Sequence, residues 1–161
     1  MHDRYIKGTQ KGAVVQNVQA FLCYLTGAVY KGASMKAMRV YINTRVLKHV
    51  YDKRPAQEYD LLITHLHKLV RFPKHVYQNQ SSKRGDYLFV RNLRGGKEKY
   101  LCSLQYVEDE EKSRFEVTTF FWLAKENYLN NYKLLWSWED DSTLHRNAFD
   151  SSVSRPNSTP Q

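Results

Sequence analysis

Three strand-like runs between Tyr87 and Ala124 constrain the fold most: "YLFVRNL" from Tyr87, "KYLCSLQYVE" from Lys99 and "FEVTTFFWLA" from Phe115. Each is rich in aromatic and branched residues. Gly95-Gly96 follows the first run and "DEEKS" follows the second, both turn signals. A parallel return needs a crossover of about a dozen residues, so connections this short imply an antiparallel meander.

Alternation then sorts the faces. With Leu88 and Val90 turned inward, Tyr87, Phe89 and Arg91 occupy the open face. With Cys102 and Leu104 buried, Ser103 and Gln105 are open. The third run carries aromatics at both parities. Taking the branched Val117 as buried puts Thr118, Phe120 and Trp122 on the open face, beside Arg91, Ser103 and Gln105.

Helical periodicity marks the chain before the meander. Val14, Val15, Val18, Phe21, Leu22, Leu25 and Val29 recur at helical spacing within Ala13–Tyr30. This predicts an amphipathic N-terminal helix ended by Gly32. The same stretch resembles a signal-peptide core, but Gln16, Asn17 and Gln19 interrupt it, and it is short for a membrane span. "YKGASMKAMR" reads as a linker. In "NTRVLKHVYDKRP", Asn43 or Thr44 caps a helix with Val46, Leu47 and Val50 as its stripe, and Pro55 stops it. "EYDLLITHLHKLVRF" is the clearest helix, with Tyr59, Leu62, Ile63, Leu66, Leu69 and Val70 on one side. "KENYLNNYKLLWSWE" predicts a closing helix.

The expected class is α+β: N-terminal helices followed by a small antiparallel β-meander and a C-terminal helix. The divisions are an N-terminal helical extension over 1–38, a domain over 39–139, and a disordered polar tail over 140–161.

Charge narrows the partners. Residues 1–84 hold 15 Lys or Arg against 4 Asp or Glu, and residues 85–161 hold 10 against 12, giving +9 in all. A cationic half beside many rings suits nucleic acid, because charge binds the backbone and rings stack on bases. The stretch "KLVRFPKHVYQNQSSKRGDYLFVRN", Lys68–Asn92, concentrates that charge where a helix hands over to a strand. Cys23 and Cys102 are too far apart for a metal or redox motif, so nothing demands an oxidising compartment and the cytoplasm is expected. His65 and His67 diverge on a helix and complete no ligand set, so neither metal nor cofactor is implied.

The order of these parts resembles the barnase–EndoU–colicin–RelE-like nucleases, in their phage-associated branch, over roughly Val40 to Glu139. The resemblance rests on a helix with a central His ("RVLKHVY"), a helix ending in a Pro-containing turn ("LVRFPKHVY"), a basic approach to a strand ("SSKRGDYLFVRN"), a hairpin, and a strand with a central Thr ("EVTTFF"). It implies a metal-independent endoribonuclease, of toxin or phage-effector type, that leaves a 2′,3′-cyclic phosphate. It also implies RNA as substrate, with tRNA a candidate, and a cognate inhibitor or antitoxin; no membrane partner is expected. His49 matches the helix histidine, Thr118 the strand threonine (Thr119 if the register is shifted by one), and Arg84 and Arg91 the basic positions. Arg71, Lys74 and Tyr132 are secondary matches.

The residues bear on such chemistry directly. Cleavage by the RNA's own 2′-hydroxyl needs a base, an acid, and cations for the developing charge. His49 has Arg45 and Lys53 one turn to either side, which favours the neutral imidazole a base requires. Arg71, Lys74, Lys83, Arg84 and Arg91 supply cations whose planar or flexible heads hold phosphate. Thr118 offers a hydroxyl to a phosphate oxygen, while Phe120 and Tyr132 offer stacking surfaces. Each has a plainer reading: His49 at the core edge beside Val46 and Val50, the cations as a solvated loop, Thr118 as a strand former, the rings as core. Two rival functions stay open: a noncatalytic nucleic-acid-binding phage or virion protein, and an interaction module that docks through its N-terminal helix.

Overall fold

The computed structural model describes residues 1–81, 85–93, 96–110 and 112–138. Arg84, Lys83 and the 140–161 tail lie outside those residues. The elements run α1 (His2–Tyr5), β1 (Gln19–Tyr24), α2 (Gly27–Gly32), β2 (Arg39–Asn43), α3 (Thr44–Lys53), α4 (Ala56–Arg71), β3 (His75–Gln78), β4 (Tyr87–Asn92), β5 (Lys99–Glu108) and β6 (Ser113–Leu123). A 3-10 turn over Glu126–Asn131 and β7 (Lys133–Ser137) follow.

All seven strands form one mixed sheet in the order β1-β2-β6-β5-β4-β3-β7. Every pair is antiparallel except β2 with β6, which are parallel. This overturns the expectation of N-terminal helices, a small meander and a C-terminal helix. The Ala13–Tyr30 stretch contains β1, which pairs with β2, and its only helix is the short α2 that begins at Gly27 near its end. The closing segment makes a short 3-10 turn and then β7, which pairs with β3. In both places backbone pairing with a distant strand outweighs the local helical spacing.

The two longer helices follow their local signals. Asn43 accepts a hydrogen bond from the Val46 amide at 3.0 Å and caps α3. Pro55 separates α3 from α4, and its fixed backbone angle starts the second helix. Leu47, Val50, Leu62, Leu66, Leu69 and Val70 pack with Val76, Phe89, Cys102, Leu104, Phe115, Val117 and Phe120 in the main core. Ile6, Cys23, Leu25 and Val29 join the same core. Each such side chain contributes about 1.5–3 kcal/mol when fully buried.

A second, smaller core lies on the opposite sheet face, where Leu88, Val90, Leu101 and Leu123 meet Leu129 of the 3-10 turn. The meander is therefore covered on both faces, and the expected face assignment of its first strand is reversed. Phe89 joins the helix-side core, and Leu88 and Val90 point away from it.

The third strand departs for a separate reason. Ser103 pairs with Thr119 and Leu104 with Val117, leaving Thr118 as an extra residue in a bulge. The bulge lets Val117 and Phe120 share the helix side, while Thr119 and Phe121 turn to the other. Phe120 is fully buried under the helices and is not an open-face ring.

Candidate nucleic-acid interface

Helix α4 ends at Arg71 because the next residues cannot continue it: Phe72 leaves the helical region ahead of Pro73. This sharp exit leaves Phe72 exposed at 45%, with the Arg71 guanidinium 5.5 Å from the centre of its ring. The Arg91 guanidinium donates to the Phe72 carbonyl. It thereby ties the end of β4 to the end of α4 and satisfies a helix C-terminal acceptor.

Lys74 holds the same corner through its backbone. Its amide donates to the Val90 carbonyl at 2.8 Å, and its carbonyl accepts from the Trp138 amide at 2.7 Å. Three strand ends thus converge on one residue whose side chain is exposed. Pro73, Lys74, Arg91, Asn92 and Trp138 line an open notch of about 300 Å³. Trp138 is 48% exposed, and Trp136 lies behind it with ring centres 5.9 Å apart. None of Arg71, Lys74, Arg91 and Lys99 forms an ion pair among the described residues.

His75 follows Lys74 and points to the sheet face opposite Val76. Its Nδ1 lies 2.9 Å from the Ser137 hydroxyl. Burial first, then the ammonium groups of Lys99 and Lys74, hold its pKa below the ordinary imidazole value. At neutral pH the ring is therefore uncharged, and it can accept the Ser137 proton in a hydrogen bond.

The other predicted residues lie elsewhere. His49 is exposed on α3 and lines a groove with Arg45, Lys48, Asp52 and the segment 12–17. Lys48, one residue earlier, is only 5% exposed. Its ammonium lies 2.5 Å from the Asp52 carboxylate and 2.7 Å from the Gln10 carbonyl. Thr118 donates to the Ser103 carbonyl at 3.2 Å in the bulge. Tyr132 is half-buried and lines a third cavity, on the sheet face away from α3 and α4. The predicted set of His49, Arg91 and Thr118 is therefore not gathered around one cavity. Arg71, Lys74 and Arg91 do converge.

Sequence reasoning overlooked Phe72, His75, Asn92 and Trp138. Trp136 and Trp138 are two apart, the spacing that puts neighbours on one side of a strand, but the run containing them also fits a helical period. Among the described residues no three His, Cys, Asp or Glu side chains cluster to hold a metal ion, and no helix is long and apolar enough to cross a membrane.

No protein-family model, curated protein or solved structure matches the chain significantly.

Proposed function

We propose that the chain binds single-stranded nucleic acid, RNA foremost, through the corner where α4, β4 and β7 end. The observation that carries this reading is the junction of exposed rings with cations that form no ion pair among the described residues: Lys74, Arg91 and Trp138 around one notch, and Arg71 over Phe72 beside it. Cations neutralise backbone phosphates, and an exposed indole stacks on a base of any identity. The test is RNA binding by fluorescence anisotropy across a salt series. Trp138→Ala should weaken binding by about 1–3 kcal/mol, the range for one lost base–ring stack. Unchanged affinity in Trp138→Ala and in a Lys74→Ala, Arg91→Ala double variant would remove the reading.

Metal-independent RNA cleavage is the second reading, and one observation favours it. His75, uncharged at neutral pH, adjoins Lys74 and Lys99, so a proton acceptor lies close to cations able to stabilise a phosphorane. Incubating RNA with the protein in excess EDTA and mapping product ends tests it. Cyclic-phosphate ends that disappear in His75→Ala, and persist in His49→Ala, would support cleavage at this corner. Intact RNA at high protein concentration would leave binding alone.

A further inference from the structure

The cavity on the sheet face away from α3 and α4 has no part in the notch. It measures about 280 Å³, just below the range typical of sites for drug-sized ligands. Leu88, Leu101, Ser103, Thr119 and Phe121 line it from the sheet, Tyr128 and Tyr132 from the 3-10 turn and its exit, and Asn79 and Ser81 from the loop after β3.

Three departures from regular structure converge there. The first is the Thr118 bulge, which turns Thr119 and Phe121 toward the cavity, and bulges commonly re-aim side chains beside functional sites. The second is Gly85, at a φ of +110°, where a Cβ would lie 2.4 Å from the Ser103 hydroxyl and 3.0 Å from that of Thr118. Only glycine lets the loop base press so closely onto the bulge. The third is Asn79, 6% exposed, whose amide donates to the Gly85 carbonyl at 2.8 Å. Its side-chain oxygen accepts from the Ser81 hydroxyl, also at 2.8 Å. Rigid support of this kind holds a binding surface in place before the ligand arrives.

The lining specifies the ligand's chemistry. Phe121 and Tyr128 meet edge to face at 6.0 Å, and Tyr128 and Tyr132 lie 5.6 Å apart at 36°. Apolar floor and aromatic walls suit a flat ring. The hydroxyls of Thr119 and Tyr132 can both donate and accept, which suits a ring whose edge does the same. No charged side chain lines the cavity among the described residues. We propose that this cavity binds a nucleobase, carried either by a free nucleoside or by an unstacked residue of a bound strand. The strand-borne form rests on the RNA-binding reading, and the free form does not.

The test titrates the full chain with the four ribonucleosides and with the four homopolymeric hexaribonucleotides. Thr119→Val and Tyr132→Phe remove one hydroxyl each with shape retained, and circular dichroism checks their fold. One base should bind more tightly than the others, and Thr119→Val should reduce that preference roughly fivefold, as for one lost hydrogen bond. A preference among free nucleosides assigns the site to them, and a preference confined to hexamers assigns it to the strand. Nucleoside binding that needs Thr119, with no hexamer binding at all, would keep the cavity and remove the RNA reading. No base preference in either series, or a preference untouched by both substitutions, would overturn the cavity even if the notch binds RNA.

Discussion

Two surfaces of this molecule look alike in sequence and differ in structure. The α3 groove draws on "RVLKH" and the notch on "RFPKH", each with two cations and a histidine. In the groove, Asp52 lies one helical turn from Lys48, and the pair is drawn inward. Lys48 holds the Gln10 carbonyl, and Asp52 accepts from the Gly12 amide, so the pair fastens the N-terminal segment to α3. At the notch no carboxylate stands at that spacing, and Lys74 stays exposed. A carboxylate four residues away thus separates a cation spent on folding from one free to meet a ligand.

The comparison breaks most readily at Lys48. Lys48→Met should cost on the order of 3 kcal/mol in urea unfolding, because it leaves Asp52 desolvated and unpaired. Adding Asp52→Leu should recover much of that loss, since an apolar pair of similar volume replaces the ion pair without a stranded charge. RNA affinity of the folded protein should be unaffected by either change. A large loss of binding in folded Lys48→Met would show the groove to be part of the interface.

The converse comes from Lys74→Ala with Arg91→Ala. The slope of log affinity against log salt should shrink by about 1.4, about 0.7 for each phosphate contact removed from a single strand. Arg91→Ala also frees the Phe72 carbonyl, a loss of about 1 kcal/mol at an exposed site. An unchanged slope would mean that neither Lys74 nor Arg91 meets a phosphate.

Acidity separates the two surfaces through different groups. Burial raises the Asp52 pKa, but the bonds from Lys48 and the Gly12 amide outweigh it and hold the carboxyl below its usual value of 3.8. That contribution to stability is present above pH 3.8 and is lost as pH falls through the lower folded value. His75 is likewise depressed from 6.5, so the unfolded chain binds its proton first. Stability at the notch should therefore begin to fall as pH drops below about 6.5, well before the groove is affected. Unfolding curves between pH 7 and 3 check this. His75→Gln should flatten the upper part of the fall and leave the lower part in place.

Legibility followed the range of the interactions. Helix α3 could be read because its cap and stripe lie within a few residues of one another, and β4 to β6 because short turns join them. The outer strands could not. β2 meets β6 at Val40 and Phe115, and β7 meets β3 at Trp136 and Val76, pairings with no local trace. Phe21 and Leu22 fit a helix as well as the edge strand they occupy. At the site, Arg71, Lys74 and Arg91 were visible as charge near a helix end. Trp138 was not, because its approach depends on β7. The bulge at Thr118 leaves no mark in composition, yet it reversed the expected faces of Phe120 and Thr119.

The smallest expected effect is the most pointed. His49→Ala should change stability by no more than about 0.5 kcal/mol, the range for an exposed position away from caps and buried pairs. His49 forms no hydrogen bond or ion pair among the described residues, and Lys48, not His49, turns inward from that part of α3. Its groove is bordered by an acid already engaged by Lys48 and Gly12, so a phosphate entering there would meet Asp52 as well as Arg45. RNA binding and any EDTA-resistant cleavage should be as strong in His49→Ala as in the parent. If cleavage instead vanishes while the fold and the notch remain intact, the reacting phosphate must reach α3, and the contrast between spent and free cations would no longer locate the site.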